Sequence, residues 1–246
     1  DNAVSLMAHQ VAVAEKQNAV LARVPANEFA VQYLYQNLWG FSGHVTAQGL
    51  TALQDDPDVL VIEPVRMLYA HGAQGIPLMN GMTYRNTYTG SGMSIAICDT
   101  GVDYTHPRLG GGGFPNSKVL GGYNFGDMNA DPIPNGPSPD SAHGTACAGI
   151  SAGSLGTVGD YIGGVGHNAK LYALKMAPAG SNGAFDSSMI ASWDWCVTHR
   201  NDNTANPIKV ISTSFGGYRF LDQAICDSYS PMMTSAAAAA VSAGIT

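Results

Sequence analysis

Charge is scarce in this chain: of 246 residues only 12% are Asp, Glu, Lys or Arg. The surface must therefore be made largely of small and uncharged polar side chains, and 30 Gly with 13 Pro point to many loops, a balance that suits an extracellular protein. Basic residues are the scarcer kind, 11 against 18 acidic ones, and the net charge is -7. No Lys/Arg run exists to collect phosphates, so nucleic acid is not an expected partner. Long hydrophobic runs are missing too. No window approaches the ~18 apolar residues of a membrane span, and the N-terminus lacks the basic start and apolar stretch of a signal peptide. The four cysteines are too few and too widely spaced for a disulfide-stapled miniprotein, and with no C-x-x-C pair a zinc site is not expected.

What is present is enough apolar material, 45% of the chain, to fill a real core. Cys98 and Cys147 sit in apolar stretches and read as buried thiols, whereas Cys196 and Cys226 fall in neighbouring helical segments, where a disulfide is the pairing to test. A first unit, 1–69, reads as strand (Gln17 to Val24), helix (Asn27 to Leu38), strand (Phe41 to Val45), short helix capped by Thr46 and strand from Val59 to Ile62. That order predicts a small α+β layer. A Gly-rich linker over 70–80 leads to a second unit, 81–246. There the apolar strand Met93 to Cys98, of the kind buried on both faces of a parallel sheet, opens an alternation of strands (Leu171 to Lys175, Ile208 to Ser212) and helices (His143 to Ser151, Ser187 to His199, Ser235 to Ala243). The expected fold is α/β, a doubly wound and mainly parallel sheet.

Asp99 follows the first strand and precedes Thr-Gly, at the carboxyl end where open α/β sheets place their sites. Alone, such an Asp is equally a strand-end acceptor or a ligand for phosphate or metal, and Asp103 four residues on keeps magnesium open. His143 starts an apolar helix of small residues. A helix N-terminus disfavours imidazolium and a neighbouring carboxylate favours it, so a working base at this place requires Asp99 to come within hydrogen-bond reach.

Asp99-Thr-Gly-Val-Asp103 with His106-Pro107, His143-Gly-Thr145 with Ala148-Gly149, the strand Ala169 to Lys175, and Ile211-Ser-Thr-Ser-Phe-Gly-Gly217 resemble, in order, the signatures of the subtilisin-like serine proteases. The first unit is similar to that family's inhibitory propeptide, a ferredoxin-like domain, through Gly40 to Gly43, Leu50 to Leu53 and Pro57 to Pro64. The resemblance implies a secreted serine endopeptidase zymogen acting on peptides or proteins. Asp99 would orient His143, and His143 would move the proton of a serine. Ser214, Phe215 and Gly216 would pair with substrate backbone, and the stretch from Arg66 to His71 would thread the cleft. No cofactor is implied for the chemistry. Structural calcium is the open point, because Arg108 stands where many family members have an acidic calcium ligand. Ala146 stands where they commonly have a second His, and Cys147 follows as in some thiol-containing members.

The nucleophilic Ser of a Gly-Thr-Ser segment and the Asn that donates to the oxyanion would come after Thr246 in the family pattern. Ser94, Ser212, Ser214 and Ser235 do not replace that Ser, since none sits in a sharp Gly-flanked strand-to-helix turn with an assigned base. A nicked zymogen whose companion chain carries both groups is the favoured expectation, ahead of a shortened fragment. A different class of function, a protease-binding inhibitor or folding module without activity of its own, is the alternative. A nucleotide-binding reading of Asp99-Thr-Gly with the Gly163 to Gly166 run fails for want of a strand-linked G-x-G-x-x-G or a Gly-Lys-Ser/Thr. Intact mass of native material is expected to reveal a companion chain containing Gly-Thr-Ser; a single cooperatively folded 25.6 kDa species would count against the nicked form.

Overall fold

The computed structural model describes residues 2–70, 81–156 and 161–246. The chain opens with a helix, α1 (Asn2–Leu21), where the sequence reading expects a strand over 17–24. Val13, Gln17 and Val20, four and three residues apart, are its buried positions, which is helical rather than alternating spacing. The expected helix over 27–38 is instead strand β1 (Phe29–Leu34), paired antiparallel with β2 (Phe41–Val45). Phe29, Val31 and Tyr33 alternate with Ala30 and Gln32, a period of two that Leu34 breaks, and pairing with β2 settles the segment as a strand. The Gln17 side-chain amide holds the connection between the two strands, donating to the carbonyls of Tyr35 (2.7 Å), Leu38 (3.3 Å) and Gly40 (2.6 Å).

Helix α2 (Ala47–Gln54) forms as expected: Thr46 caps it by accepting from the Gly49 amide at 3.1 Å. The expected strand over 59–62 is not formed. Leu60 is 96% exposed, and Val61 and Ile62 are exposed beside a cavity of about 720 Å³ lined also by α1, β2 and the second unit. The small α+β layer thus stands with two strands among the described residues. Strand β3 (Met67–Ala70) leaves it for the second unit. The expected linker past Ala70 lies outside the described residues.

The second unit contains β4 (Ser94–Asp99), β5 (Val119–Asn124), α3 (His143–Ala152), β6 (Lys170–Lys175), β7 (Gly183–Phe185), α4 (Asp186–His199), β8 (Ile208–Thr213), β9 (Phe215–Gly216), α5 (Gln223–Tyr229) and α6 (Pro231–Ser242). Strands β5, β6, β4 and β8 lie in that order in one parallel sheet. Alternate side chains of the central strands enter opposite layers. Ile97, Leu171 and Ala173 pack with Cys147, Ala148 and Ala152 of α3 on one face. Ala96, Cys98, Tyr172 and Leu174 pack with Met189, Ile190 and Cys196 of α4 and Ala240 of α6 on the other. Helices on both faces make the sheet doubly wound, and burial on both sides explains why β4 and β6 read as continuous apolar runs. Thr246 begins another rung beside β8: its carbonyl accepts from the Ile211 amide at 2.8 Å and its amide donates to the Lys209 carbonyl at 2.9 Å.

Two local expectations fail here. Cys196 and Cys226 are free thiols, because Cys196 points into the layer between sheet and α4 while Cys226 is exposed on α5. The helix expected from Ser235 is α6, which starts four residues earlier at Pro231 and holds Ser235 in its interior.

The first unit docks on α4 through Asp194, a buried carboxylate. Its oxygens accept from the Gln36 amide (2.6 Å), the Asn37 amide (2.9 Å) and the Asn37 side chain (2.7 Å). Asn37 Nδ2 also donates to Thr198 Oγ1 at 2.9 Å. Replacing Asp194 with Ala would remove the carboxylate acceptor from the Gln36 and Asn37 amides and leave the Asn37 side chain with Thr198 Oγ1 and the residue-194 carbonyl. A loss of about 3 kcal/mol in chemical unfolding of the full chain is expected.

Candidate active site

The carboxyl ends of β4 and β6 face the start of α3, and β4 delivers Asp99 there with 1% of its surface exposed. Oδ1 of Asp99 accepts from the Thr100 amide at 2.7 Å and lies 2.8 Å from Nδ1 of His143. A carboxylate only accepts, so Nδ1 carries the proton toward Asp99 and Nε2 is the basic nitrogen of the neutral ring. Thr100 locks the other side of the joint: its hydroxyl donates to the Ser141 carbonyl at 2.9 Å and accepts from the Gly144 amide at 3.0 Å. In the sequence Thr100 is one residue of the Asp99–Asp103 motif, with no task apparent from the motif alone. Its signal was a hydroxyl next to the strand-end carboxylate, able to pin one orphan N–H of the facing helix.

Gly144 sets how closely α3 approaches β4. A Cβ there would lie 2.3 Å from the Gly101 carbonyl oxygen and 2.9 Å from Cβ of Asp99, so any larger residue forces helix and strand apart. Thr145 adds a second tie, its hydroxyl accepting from the Asp103 amide at 2.9 Å. Asp103 itself turns to Thr105, whose amide donates to it at 3.0 Å, and takes no part in the Asp99–His143 contact.

One turn along α3, Sγ of Cys147 lies 3.8 Å from Nδ1 and 3.9 Å from Nε2 of His143. Burial first, and then the Asp99 charge, push its pKa up to about 11, so the group is a neutral thiol at physiological pH. Asp99, His143 and Cys147 bring three potential metal-ligand atoms within 4.8 Å. The Asp99 carboxylate engages the Nδ1 proton and the thiol stays protonated, which is the arrangement of an oriented base.

Beside this joint, β9 supplies two of the three residues expected to bind substrate. Phe215 sets its ring edge-on to His143, 6.3 Å between centroids and 89° between planes. Ser214 neighbours Cys147 and weakly opposes the upward push of burial on its thiol. Strand β3 lies between β9 and β7, antiparallel to both: Tyr69 is opposite Gly216 and Ala70 opposite Phe215, while Met67, Leu68 and Tyr69 face Phe185, Ala184 and Gly183. Of the stretch 66–71 expected to thread the cleft, Met67 to Ala70 pairs with β7 and β9, and His71 lies outside the described residues. Arg66 anchors the strand. It exchanges backbone bonds with Asp186, donating to Oδ1 and accepting from the Asp186 amide, both at 2.8 Å, and its guanidinium lies 4.1 Å over the Tyr229 ring.

Residues 90–246 match the subtilase family along their whole length. The chain belongs to the subtilase family. This subtilase is 29% identical over 221 residues to a subtilisin-like protease of Coccidioides posadasii, a match covering 85% of this chain and 48% of the relative. It is 33% identical over 131 residues to serine protease AprX of Bacillus subtilis, covering 53% and 27%. With subtilisin E of Bacillus subtilis it shares 29% over 170 residues, covering 67% and 39%. It therefore spans half or less of the length of these curated relatives. Among solved structures, fervidolysin of Fervidobacterium pennivorans, described as a keratinolytic enzyme related to subtilisin, aligns with a TM-score of 0.47 and 26% identity over 67% of this chain and 22% of its own.

The Gly144 contact of this subtilase can be tested directly. Replacement with Ala is expected to cost about 2 kcal/mol of stability, as overpacking does, and to remove the downfield imidazole N–H resonance that a carboxylate-bound Nδ1 gives in proton NMR.

Proposed function

We propose that this chain supplies the Asp and His of a Ser-His-Asp triad in a secreted serine endopeptidase. Residues 81–246 form the first part of the catalytic domain, and residues 1–69 are a propeptide that assists folding and blocks the cleft. The observation that carries the reading is the 2.8 Å contact of Asp99 with His143, made at the mouth of a slot that already holds an extended strand of the same chain.

In this mechanism the substrate backbone replaces β3 between β7 and β9, pairing with the same main-chain groups at Phe215 and Gly216. His143 then takes the proton of the attacking serine on Nε2 and later returns it to the leaving amine. Asp99 keeps the ring in the Nδ1–H tautomer and stabilises the imidazolium that forms in between. Serine and oxyanion donor belong to polypeptide outside these 246 residues. Metal and cofactor have no step in this chemistry.

The central position of β3 also favours a second reading, an inhibitor or folding module, since an inhibitor of this class would present the same strand to another protease. The two readings separate in activity. In the full protein, His143→Ala and Asp99→Ala are each expected to lower kcat on a chromogenic peptide amide by about 10⁴-fold or more, as at other sites built on this triad, with KM changed little. Activity surviving both substitutions ends the enzymatic reading. Inhibition of a foreign subtilase by residues 1–69, from a protein without turnover of its own, would establish the module.

A further inference from the structure

Gly153, Ser154 and Leu155 follow α3 directly, and each has its carbonyl oxygen taken by a donor from elsewhere in the chain. The Gly164 amide donates to Gly153 at 2.9 Å, the Tyr161 hydroxyl to Ser154 at 2.8 Å, and Nη1 of Arg108 to Leu155 at 2.8 Å. The Ser154 amide in turn donates to the Arg108 carbonyl at 2.9 Å, so Arg108 grips the loop through main chain and side chain together. Its guanidinium lies where a side chain on Gly156 would have to go. A Cβ there would fall 2.1 Å from Cζ and 2.2 Å and 2.3 Å from the two Nη atoms.

Consecutive carbonyl oxygens with a nearby carboxylate are what a hard cation such as calcium collects. The residues here do not fit that ion. The three carbonyls already have protein donors, and the position at which the family resemblance implies an acidic ligand carries a fixed positive charge. Among the described residues, no three acidic, His or Cys groups gather near Arg108. A guanidinium supplies the same elements a bound ion would, positive charge and a partner for a carbonyl, and being covalently held it does so at any calcium concentration.

We propose that Arg108 is a tethered cation that takes the place of a structural calcium ion at this loop, so that the order of residues 153–156 depends on the arginine and not on divalent metal. A bound ion stabilises in proportion to the logarithm of its concentration, whereas a tethered one does not. The discriminating readout is hydrogen exchange at the Ser154 amide in the full chain, with excess calcium and with excess chelator. In the unsubstituted chain the two rates are expected to agree. Arg108→Ala is expected to speed exchange about tenfold in both conditions and to lower Tm by about 2–4 °C. Gly156→Ala, which displaces the guanidinium without removing it, should speed exchange in the same direction by less, and keeps the test open if the first variant fails to fold. The proposal is overturned if chelation speeds Ser154 exchange in the unsubstituted chain, or if both substitutions leave that rate unchanged.

Discussion

The candidate site depends on how near the first turn of α3 comes to the end of β4. Strand and helix are separated in sequence by a long excursion through β5 and its loops, yet Asp99 and His143 meet at 2.8 Å. Two small features enforce the meeting. Gly144 removes the Cβ that would otherwise strike the Gly101 carbonyl, and Thr100 bonds the α3 start from both sides. The contact is therefore a property of the sheet and helix scaffold, not of flexible loops, as a catalytic group needs when fractions of an ångström in orientation change rates.

The second constraint is the strand slot. Strands β7 and β9 run with a gap one strand wide, and a gap lined by unpaired N–H and C=O groups is costly unless something fills it. Strand β3 fills it from within the chain. The filling is held at its base by Arg66 and Asp186, whose carboxyl is pushed up by burial against the opposing pull of the Arg66 amide and charge. The Asp194 anchor on the same helix has the same character: burial raises its pKa while the Gln36 and Asn37 donors work the other way. One helix, α4, thus both packs the sheet and carries the two acceptors that hold the first unit, which couples occupation of the slot to the stability of the core.

The doubly wound half was legible because its strands are buried on both faces and its helices carry plain signals: β4, β6, β8, α3 and α4 lie close to their sequence-derived limits, and α6 differs by an earlier start. The candidate site was legible to the extent that Asp99 and His143, at element ends where chemistry is expected, do meet in the structure. Strand β5, Val119–Asn124, was missed because its Gly-Gly-Tyr-Asn tail has neither apolar run nor alternation. The first unit was misread where short amphipathic segments fit two periods. Asn27 to Leu38 supports either helix or strand, and only pairing with β2 decides between them. Once those elements were exchanged, the Asp194–Asn37 anchor could not be seen, since it depends on which face of β1 and its following turn meets α4. The Cys196–Cys226 pairing failed for a related reason: nearness in sequence says nothing about which way each helix points its thiol.

The scarcity of charge noted at the start has a structural counterpart in how the buried charges are used. Asp99, Asp186, Asp194 and Lys175 are all buried, and each makes a polar tie between separate parts of the fold. Lys175 closes the end of β6 onto Asp127 at 3.0 Å; against the pull of burial, the Ala179 amide and the Lys175 charge hold that carboxyl well below its usual range. Lys118 shows what happens without such a partner. Among the described residues its ammonium bonds the carbonyls of His167 and Ala169, and burial, with the neighbouring Lys170, drives its pKa down to about 8. An unpaired buried ion costs several kcal/mol, so a chain with few charges and a large core can place them inside only where a joint repays that cost. Arg108 extends the rule to the surface: a half-buried cation spent on one loop, at the very position where the family resemblance implies an acidic residue.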